Sequence, residues 1–348
     1  MTSIEVIERC RRKCFLILIV PLMAAVTLGQ ENHRRIGAIE FYGYAGIDLE
    51  RVRAALPLHE GDDFDDSDSA FFDTIAGIRA AITRVIGKAP TDIAVVCCDA
   101  QGRQMIYIGL PGKSMGKVPY NPPPPDTVSF PARVIDLYQQ TMQAWSKAVR
   151  SGSGKEDGSR GYALSTDRDL RTKQLAIREY AIRHERLVRR VLALSKDVEQ
   201  RIAAAHILGY AHQSKEQIAA LVKAGSDADE TVRNNAIRAL AVLAQSDPRV
   251  AARIPAGPFI AKLNSGSWTD RNKAGFLLDE LSKGRNLELL TQLRSQALDS
   301  LLEMARWRNS GHAAFARILL GRIAGIEEKR LQQLVETGQV EQIISAVR

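Results

Sequence analysis

Along most of the chain apolar residues recur every three or four positions, and the departures from that rhythm divide the sequence into parts. The longest periodic stretch runs from Thr166 to the C-terminus and predicts helices with short breaks. Within it one frame returns: an arginine, an alanine three residues on, a leucine four further, and an apolar residue three beyond that. It stands as Arg201, Ala204, Leu208 and Ala211, then as Arg233, Ala236, Leu240 and Leu243, then as Arg271, Ala274, Leu278 and Leu281. A degenerate copy without the arginine is Ala313, Ala316, Leu320 and Ile323. The alanine and leucine share one helix face, where the small side chain admits a neighbouring helix. The alanines are 32, 38 and 42 residues apart, which suits one helix pair per repeat. Stacking then buries the face that a single pair leaves bare, so this array is expected to fold without the rest of the chain.

Before residue 112 the pattern is different. Ile36, Ala38 and Phe41 form a strand-like run that Gly43 and Gly46 break. Asp48 opens a helix ending at Pro57, and a second helix carries Phe71, Phe72, Ile75, Ile78, Ile82 and Val85 at helical spacing. Thr91 to Cys98 reads as a strand, Asp99 to Arg103 as a turn, and Gln104 to Leu110 as another strand. The order is β-α-α-β-β. Strand alternation places Cys97 and Cys98 on opposite faces, one toward the two helices and one toward an open sheet face. Two free thiols are expected.

Pro119, Pro122 to Pro125 and Pro131 mark a break between the two parts. Four consecutive prolines exclude helix and central strand and favour a stiff extended spacer. A helical pattern follows from Ala132 to Val149, and then a loop-like run, Ser151 to Gly161. At the other end, Arg9, Arg11, Arg12 and Lys13 precede a short apolar run, Cys14 to Leu28. A basic head with a short apolar middle reads as a secretory signal, with the mature chain starting near Gln30. The expected division is a signal peptide over 1–29, a small α/β domain over 34–111, a proline-rich linker with one helix over 112–160, and the helical array over 161–348.

The first part resembles a POTRA domain. Ile36, Ile39, Phe41 and Gly43 approximate that family's first strand, and Leu56, Leu58, Gly61 and Asp62 its link before the second helix. No barrel-like strand series follows, so barrel assembly is not carried over. The second part resembles HEAT repeats, closest at Asp229 to Leu240 (DETVRNNAIRAL). The resemblance implies a right-handed α-solenoid, and the fold class expected is mainly α, with the POTRA-like unit in front. The usual role of such arrays is protein binding.

Composition narrows the chemistry more than it identifies it. The formal charge of +8 arises from 48 basic and 40 acidic residues. Residues 30–111 hold 8 basic and 13 acidic groups, whereas the stretch Arg168 to Lys196 holds nine basic and three acidic ones and suits an acidic partner. An exported chain meets little nucleic acid, so none is expected as a partner. A membrane enters only through an uncleaved signal segment. Gly109-x-x-Gly112-Lys113-Ser114 is two residues short of a phosphate loop and reads as a turn. The acids from Asp62 to Asp68 lack a calcium loop's central glycine and distal glutamate and read as helix-start residues. HEAT-like enzymes that hold two irons do so on several His-Glu steps. Here only His184-Glu185 lies in the array and His59-Glu60 in the other domain. No metal, cofactor or catalytic residue is assigned.

Tryptophan and arginine are enriched in binding hot spots. Trp268, Asp270, Arg271, Asn272 and Lys273 open the third repeat helix, and Arg306, Trp307, Arg308 and His312 sit near the start of the fourth. These are the candidate protein-binding residues. The expectation is an exported, periplasmic or secreted, non-enzymatic scaffold. The alternatives are an envelope accessory that binds peptidoglycan or acidic polysaccharide, and an enzyme of another type. A clustered acid, base or nucleophile on one face of the array would favour the enzyme.

Overall fold

The computed structural model describes residues 33–65, 68–97, 99 and 101–348. The signal segment 1–29, the expected start at Gln30, Asp66 and Cys98 lie outside these residues. In chain order the elements are β1 (His33–Tyr42), α1 (Leu49–Ala54), β2 (Asp63–Asp65), α2 (Asp68–Ile86), β3 (Asp92–Val96), β4 (Gln104–Gly109), α3 (Ala132–Arg150), β5 (Glu156–Asp157), β6 (Leu164–Ser165), α4 (Arg168–Leu194), α5 (Val198–Leu208), α6 (Lys215–Ala224), α7 (Glu230–Ser246), α8 (Pro248–Ala251), α9 (Gly257–Lys262), α10 (Trp268–Leu281), α11 (Leu287–Ala305), α12 (Ser310–Ile323), α13 (Glu328–Glu336) and α14 (Val340–Val347). The protein is mainly α, with many packed helices consistent with a helical repeat fold and a small N-terminal mixed sheet.

Two compact units take up the chain, and neither is a continuous stretch. The first comprises residues up to Lys117, Leu263–Trp268 and Leu287–Arg348. The second comprises Val118–Lys262 and Thr269–Asn286. These units cut across the boundaries at 111 and 160 read from the sequence.

In the first unit the four-stranded sheet has the order β2-β1-β4-β3. β1 runs parallel to β4, and the β1–β2 and β3–β4 pairs are antiparallel. The register between β1 and β4 shifts between Ile36 and Ala38. The extra residue there is Gly37, where a Cβ would lie 2.5 Å from the Asp99 carboxylate. Because of this bulge, Ile36, Ile39 and Phe41 share one face. They pack with Ile106 and Ile108 against Val52 of α1, Leu56 just after it, and Ile78 and Ile82 of α2. Burial of these branched side chains is what holds α1 and α2 on the sheet, at about 2 kcal/mol per side chain removed from water.

The opposite face is covered, not open as the sequence suggested. Tyr42 and Tyr107 point there and are fully buried under Trp307 and Trp268. Every residue of β4 is buried, as expected for a strand with apolar layers on both sides. The expected strand Thr91 to Cys98 ends at Val96, and Cys97 is disulfide-bonded. The two-free-thiol expectation is therefore wrong at Cys97. The expectation took Cys97 to be a strand residue, and the strand has already ended at Val96.

In the second unit the small and branched positions of the first three copies of the frame face inward. Ala204, Ala236 and Ala274 are fully buried, as are Leu208, Leu240 and Leu278. Asp197 and Asp229 cap α5 and α7 by accepting from backbone N–H groups of the first turn. Four residues after each cap stands the repeated arginine. Arg201 donates to the carbonyls of Ser195 and Lys196 at 2.9 and 3.1 Å, and to the Asp227 carboxylate at 3.0 and 3.1 Å. Arg233 repeats the pattern on Asp227 and Ala228 carbonyls at 3.0 and 2.9 Å and on the Asp270 carboxylate at 2.8 Å. Each arginine thus ties its own repeat's turn to an acid of a later repeat.

The proline-rich stretch lies along this unit as a strap. Asn121 N–H donates to the Ser226 carbonyl at 2.6 Å, and Asp126 N–H to the Leu194 carbonyl at 3.1 Å. Lys196 N–H donates back to the Asp126 carbonyl at 2.6 Å, and Phe130 N–H to the Gln200 side chain at 2.8 Å. Leu194 closes α4, so the strap satisfies a helix-end carbonyl that otherwise needs water.

Candidate functional site

The nine residues singled out from the sequence fall into both units. In the first, Trp307 is 1% exposed and its indole donates to the Phe41 carbonyl at 3.1 Å. Its ring stands edge-on to Tyr107, with centroids 5.0 Å apart. Trp268 is 9% exposed and lies 5.2 Å from Tyr107 and 5.1 Å from His312. The Tyr107 hydroxyl and His312 Nδ1 are 2.5 Å apart. Burial pushes the Tyr107 phenol well above its usual range, so it stays protonated and available as a donor.

Arg308 closes the same layer. Its backbone N–H and its Nε both donate to Glu40 at 2.9 Å, and its guanidinium also grips the Glu60 carboxylate. The bond from Arg308, the largest cause, holds the Glu60 carboxyl below the usual range. Arg306 is exposed, 3.7 Å from Glu341. Trp268, Trp307, Arg308 and His312 are therefore brought together against the sheet.

Sequence reasoning missed the residue that anchors this unit. Glu303, near the end of α11, accepts from the backbone N–H groups of Gly43, Tyr44 and Ala45 at 2.6, 3.0 and 3.1 Å, and from Ser114 Oγ at 2.6 Å. Gly43 has φ +71°, and an added Cβ would lie 2.5 Å from the Leu110 carbonyl. The left-handed turn at Gly43 is what aims three successive donors at one carboxylate. Nothing near Glu303 in sequence marks it. The stretch resembling a phosphate loop has its donors engaged within the protein. Gly112 and Lys113 N–H donate to the Gly43 and Ala45 carbonyls at 2.7 and 2.8 Å, and Gly116 N–H to the Asn264 carbonyl at 2.9 Å. The groups that would cradle a phosphate are spent on the fold.

In the second unit Asp270, Arg271 and Asn272 are buried. Asp270 accepts from Arg233 and from the Tyr120 hydroxyl, the latter at 2.7 Å. Tyr120 in turn lies over Arg233, 4.1 Å from its ring centroid, and Lys262 Nζ is 4.9 Å from the same ring. Lys273 Nζ donates to Asn272 at 3.2 Å, and burial, the largest cause, brings its ammonium down to about 8.

Lys273 belongs to a cluster that sequence reasoning did not assemble. Two short strands, β5 and β6, pair Glu156 with Ser165 and Asp157 with Leu164. This hairpin sets the Glu156 carboxylate against Arg238, to which it is ion-paired, and Gln174 Nε2 donates to it at 2.6 Å. The charges of Arg238 and Glu156 both act on Lys273. Beside them His206 and Tyr210 stack with ring centroids 5.4 Å apart, and Tyr138 lies 5.4 Å from His206. His206 Nε2 is buried with no hydrogen-bond partner among the described residues, whereas the Tyr210 hydroxyl is engaged by the Gln174 and Arg238 side chains. Burial, and then the charge of Arg238, hold the His206 imidazole down to about 3, so the ring is neutral. The signal was present in the repeat: His206 and Arg238 each stand five residues after the frame arginine, on the same helix face of successive repeats.

The His184-Glu185 step is also engaged. His184 interrupts α4 with φ −125° and packs 4.6 Å from Tyr180, and Glu185 accepts from Ser214 Oγ at 3.1 Å. Among the described residues no group of three or more His, Cys, Asp or Glu is placed to hold a metal ion, and no helix is long and apolar enough to cross a membrane.

No family model and no curated protein matches the chain. Among solved structures it is similar to an engineered protein from a structural genomics consortium, at 17% identity and a TM-score of 0.36, over 62% of this chain and 97% of that one.

Proposed function

We propose that this chain is an exported, non-enzymatic scaffold that binds other proteins, with a HEAT-like right-handed array and a POTRA-like sheet as its two modules. The observation that carries the reading is the position of β3. It ends the sheet order and pairs with β4 on one side only, among the described strands. Its free edge offers backbone donors and acceptors to an extended segment of a partner, which would add as a fifth strand. The sheet that presents this edge is stiffened on both faces by buried aromatic and aliphatic layers, so it would need little reorganisation on binding. In-cell photo-cross-linking from a reactive residue placed at Val96, at the end of β3, tests the reading. A covalent adduct with a second polypeptide is expected. Its absence, with a control residue on the far side of α2 giving the same background, would count against the reading.

One observation favours a second reading, an enzyme of another type. Glu156, His206, Tyr210, Arg238 and Lys273 gather on one face of the second unit, which is the kind of acid–base cluster that such a reading needs. The engagement of Glu156 by Arg238 and Gln174 speaks for the scaffold, because it leaves His206 without a carboxylate to orient it.

A further inference from the structure

We propose that Cys97 is bonded to its chain neighbour Cys98, and that this vicinal disulfide is a surface site for exchange with low-molecular-weight thiols, a role beyond the protein binding read above.

The cysteine count narrows the partner. The chain has four cysteines, Cys10, Cys14, Cys97 and Cys98. Cys97 is disulfide-bonded within this single chain, so its partner is one of the other three. Export with loss of residues 1–29, as read above, removes Cys10 and Cys14 and leaves Cys98. To that extent the pairing rests on the export reading.

The hairpin ladder points to the same pair, whatever becomes of the N-terminus. Val96 pairs with Met105, and further along the Asp99 N–H donates to the Arg103 carbonyl at 3.0 Å. Between these two rungs the chain takes three steps on the first side and two on the second. The hairpin is therefore bulged between Val96 and Asp99, in the stretch that carries both cysteines. Only unbroken strand alternation holds neighbouring side chains on opposite faces, and here it is broken.

Exposure makes the bond reactive. Cys97 is exposed, so a thiolate reaches its sulfur from solvent. Neighbouring Cα atoms are about 3.8 Å apart, below the usual span of a disulfide, and a bond closed over so short a span is more easily reduced. Exposed disulfides of this kind are the ones that exchange. A thiolate attacks one sulfur, the S–S bond breaks, and the other sulfur leaves as a thiolate and takes up a proton. A second thiolate then attacks the mixed disulfide and releases the first cysteine. Two reductant thiols become one disulfide, and their two electrons and two protons end on Cys97 and Cys98. The turn beyond is held without the sulfurs. The Asp99 carboxylate accepts from the N–H groups of Gln101 and Arg103, both at 2.9 Å, and from Arg103 Nε at 2.7 Å. Gly102 supplies the left-handed residue, with φ +79°. Opening the bond therefore leaves the hairpin in place.

The test uses the full chain, alkylated with N-ethylmaleimide without reductant, digested with trypsin at mildly acidic pH and mapped by mass. The peptide 89–103 contains Cys97 and Cys98 and no internal cleavage site. It is expected unlinked and unlabelled, lighter by two hydrogens than after reduction. The same peptide joined to a second copy of itself overturns the pairing alone. Joined to a peptide carrying Cys10 or Cys14, it overturns the pairing and the loss of residues 1–29 together. A second measurement treats the folded protein with dithiothreitol before alkylation. Label is expected on both cysteines while circular dichroism and tryptophan fluorescence stay unchanged. Labelling that appears only after urea has unfolded the chain overturns the exchange site. Val96 cross-links that persist while both tests fail would leave the scaffold reading intact and remove the disulfide inference alone.

Discussion

Glu303 holds Gly43. The carboxylate on α11 accepts the Gly43 backbone N–H at 2.6 Å across a separation of 260 positions in the chain, and takes the next two N–H groups as well. A buried carboxylate costs free energy to desolvate, and three charge-assisted backbone bonds offset that cost. The N-terminal sheet is therefore fastened by a residue near the other end of the sequence.

Removing that carboxylate should be among the more damaging changes available. Glu303→Ala strands three backbone donors in a buried site, and about 3 kcal/mol or more of stability should be lost. Glu303→Gln keeps one acceptor oxygen and should cost less. Urea unfolding of the full chain, followed by tryptophan fluorescence, checks the order of the two variants.

Trp307 fills the layer between α12 and the sheet and spends its indole N–H on the Phe41 carbonyl. Trp307→Ala should cost about 3–5 kcal/mol through the cavity and the unmet carbonyl. Trp307→Phe should cost less, because the ring volume is largely kept. A thermal melt showing either variant as stable as the parent would contradict the packing described.

The repeated arginines make a sharper prediction, because it has two parts. Arg233→Met leaves the buried Asp270 carboxylate short of its cation and should destabilise by about 3–5 kcal/mol. Pairing it with Asp270→Asn should recover a large part of the loss, since neither charge is then stranded. A double-mutant cycle in denaturant measures the coupling.

His206 predicts a pH dependence. The unfolded imidazole takes up a proton near 6.5, whereas the buried ring resists it to about 3. Below 6.5 the unfolded chain binds the extra proton, so the stability contributed by this residue is full above 6.5 and is lost as pH falls toward 3. The slope approaches about 1.4 kcal/mol per pH unit within that window. His206→Phe should flatten the stability curve between pH 6 and 4, and denaturant midpoints across that range read it directly.

The disulfide at Cys97 is checked by chemistry alone. Alkylation of denatured, unreduced protein followed by peptide mapping should leave Cys97 unlabelled, and reduction before alkylation should label it. Labelling without reductant would contradict the bonded state.

The sequence disclosed the parts of this fold that repeat. Arg201 and Arg233 stood out because they recur in one frame, and their equivalent bonds follow from equivalent places in successive helix pairs. Trp307 and Arg308 stood out by residue type, but an aromatic and an arginine look the same in sequence whether they face solvent or the far side of a sheet. Glu303 carried no signal because a lone acid on an amphipathic helix is ordinary, and its partners are backbone N–H groups, which every residue has. The proline run was read as a spacer for sound reasons of backbone geometry. What it lies on is decided by the carbonyls at the ends of α4 and α6, which no local pattern discloses.

The unit that contains the sheet also contains residues 287–348, and this has a consequence for how the chain is made. Strands made early cannot bury Tyr42 and Tyr107 until α11 and α12, far later in the chain, have emerged. Until then one aromatic face of the sheet stays wet, and Gly43, Tyr44 and Ala45 have no carboxylate to meet. Such long-range closure slows folding and lengthens the time that apolar surface is exposed. A chain cut short before α11 would therefore leave its oldest part unfinished, and proteolysis would find the damage at the N-terminal end rather than at the cut.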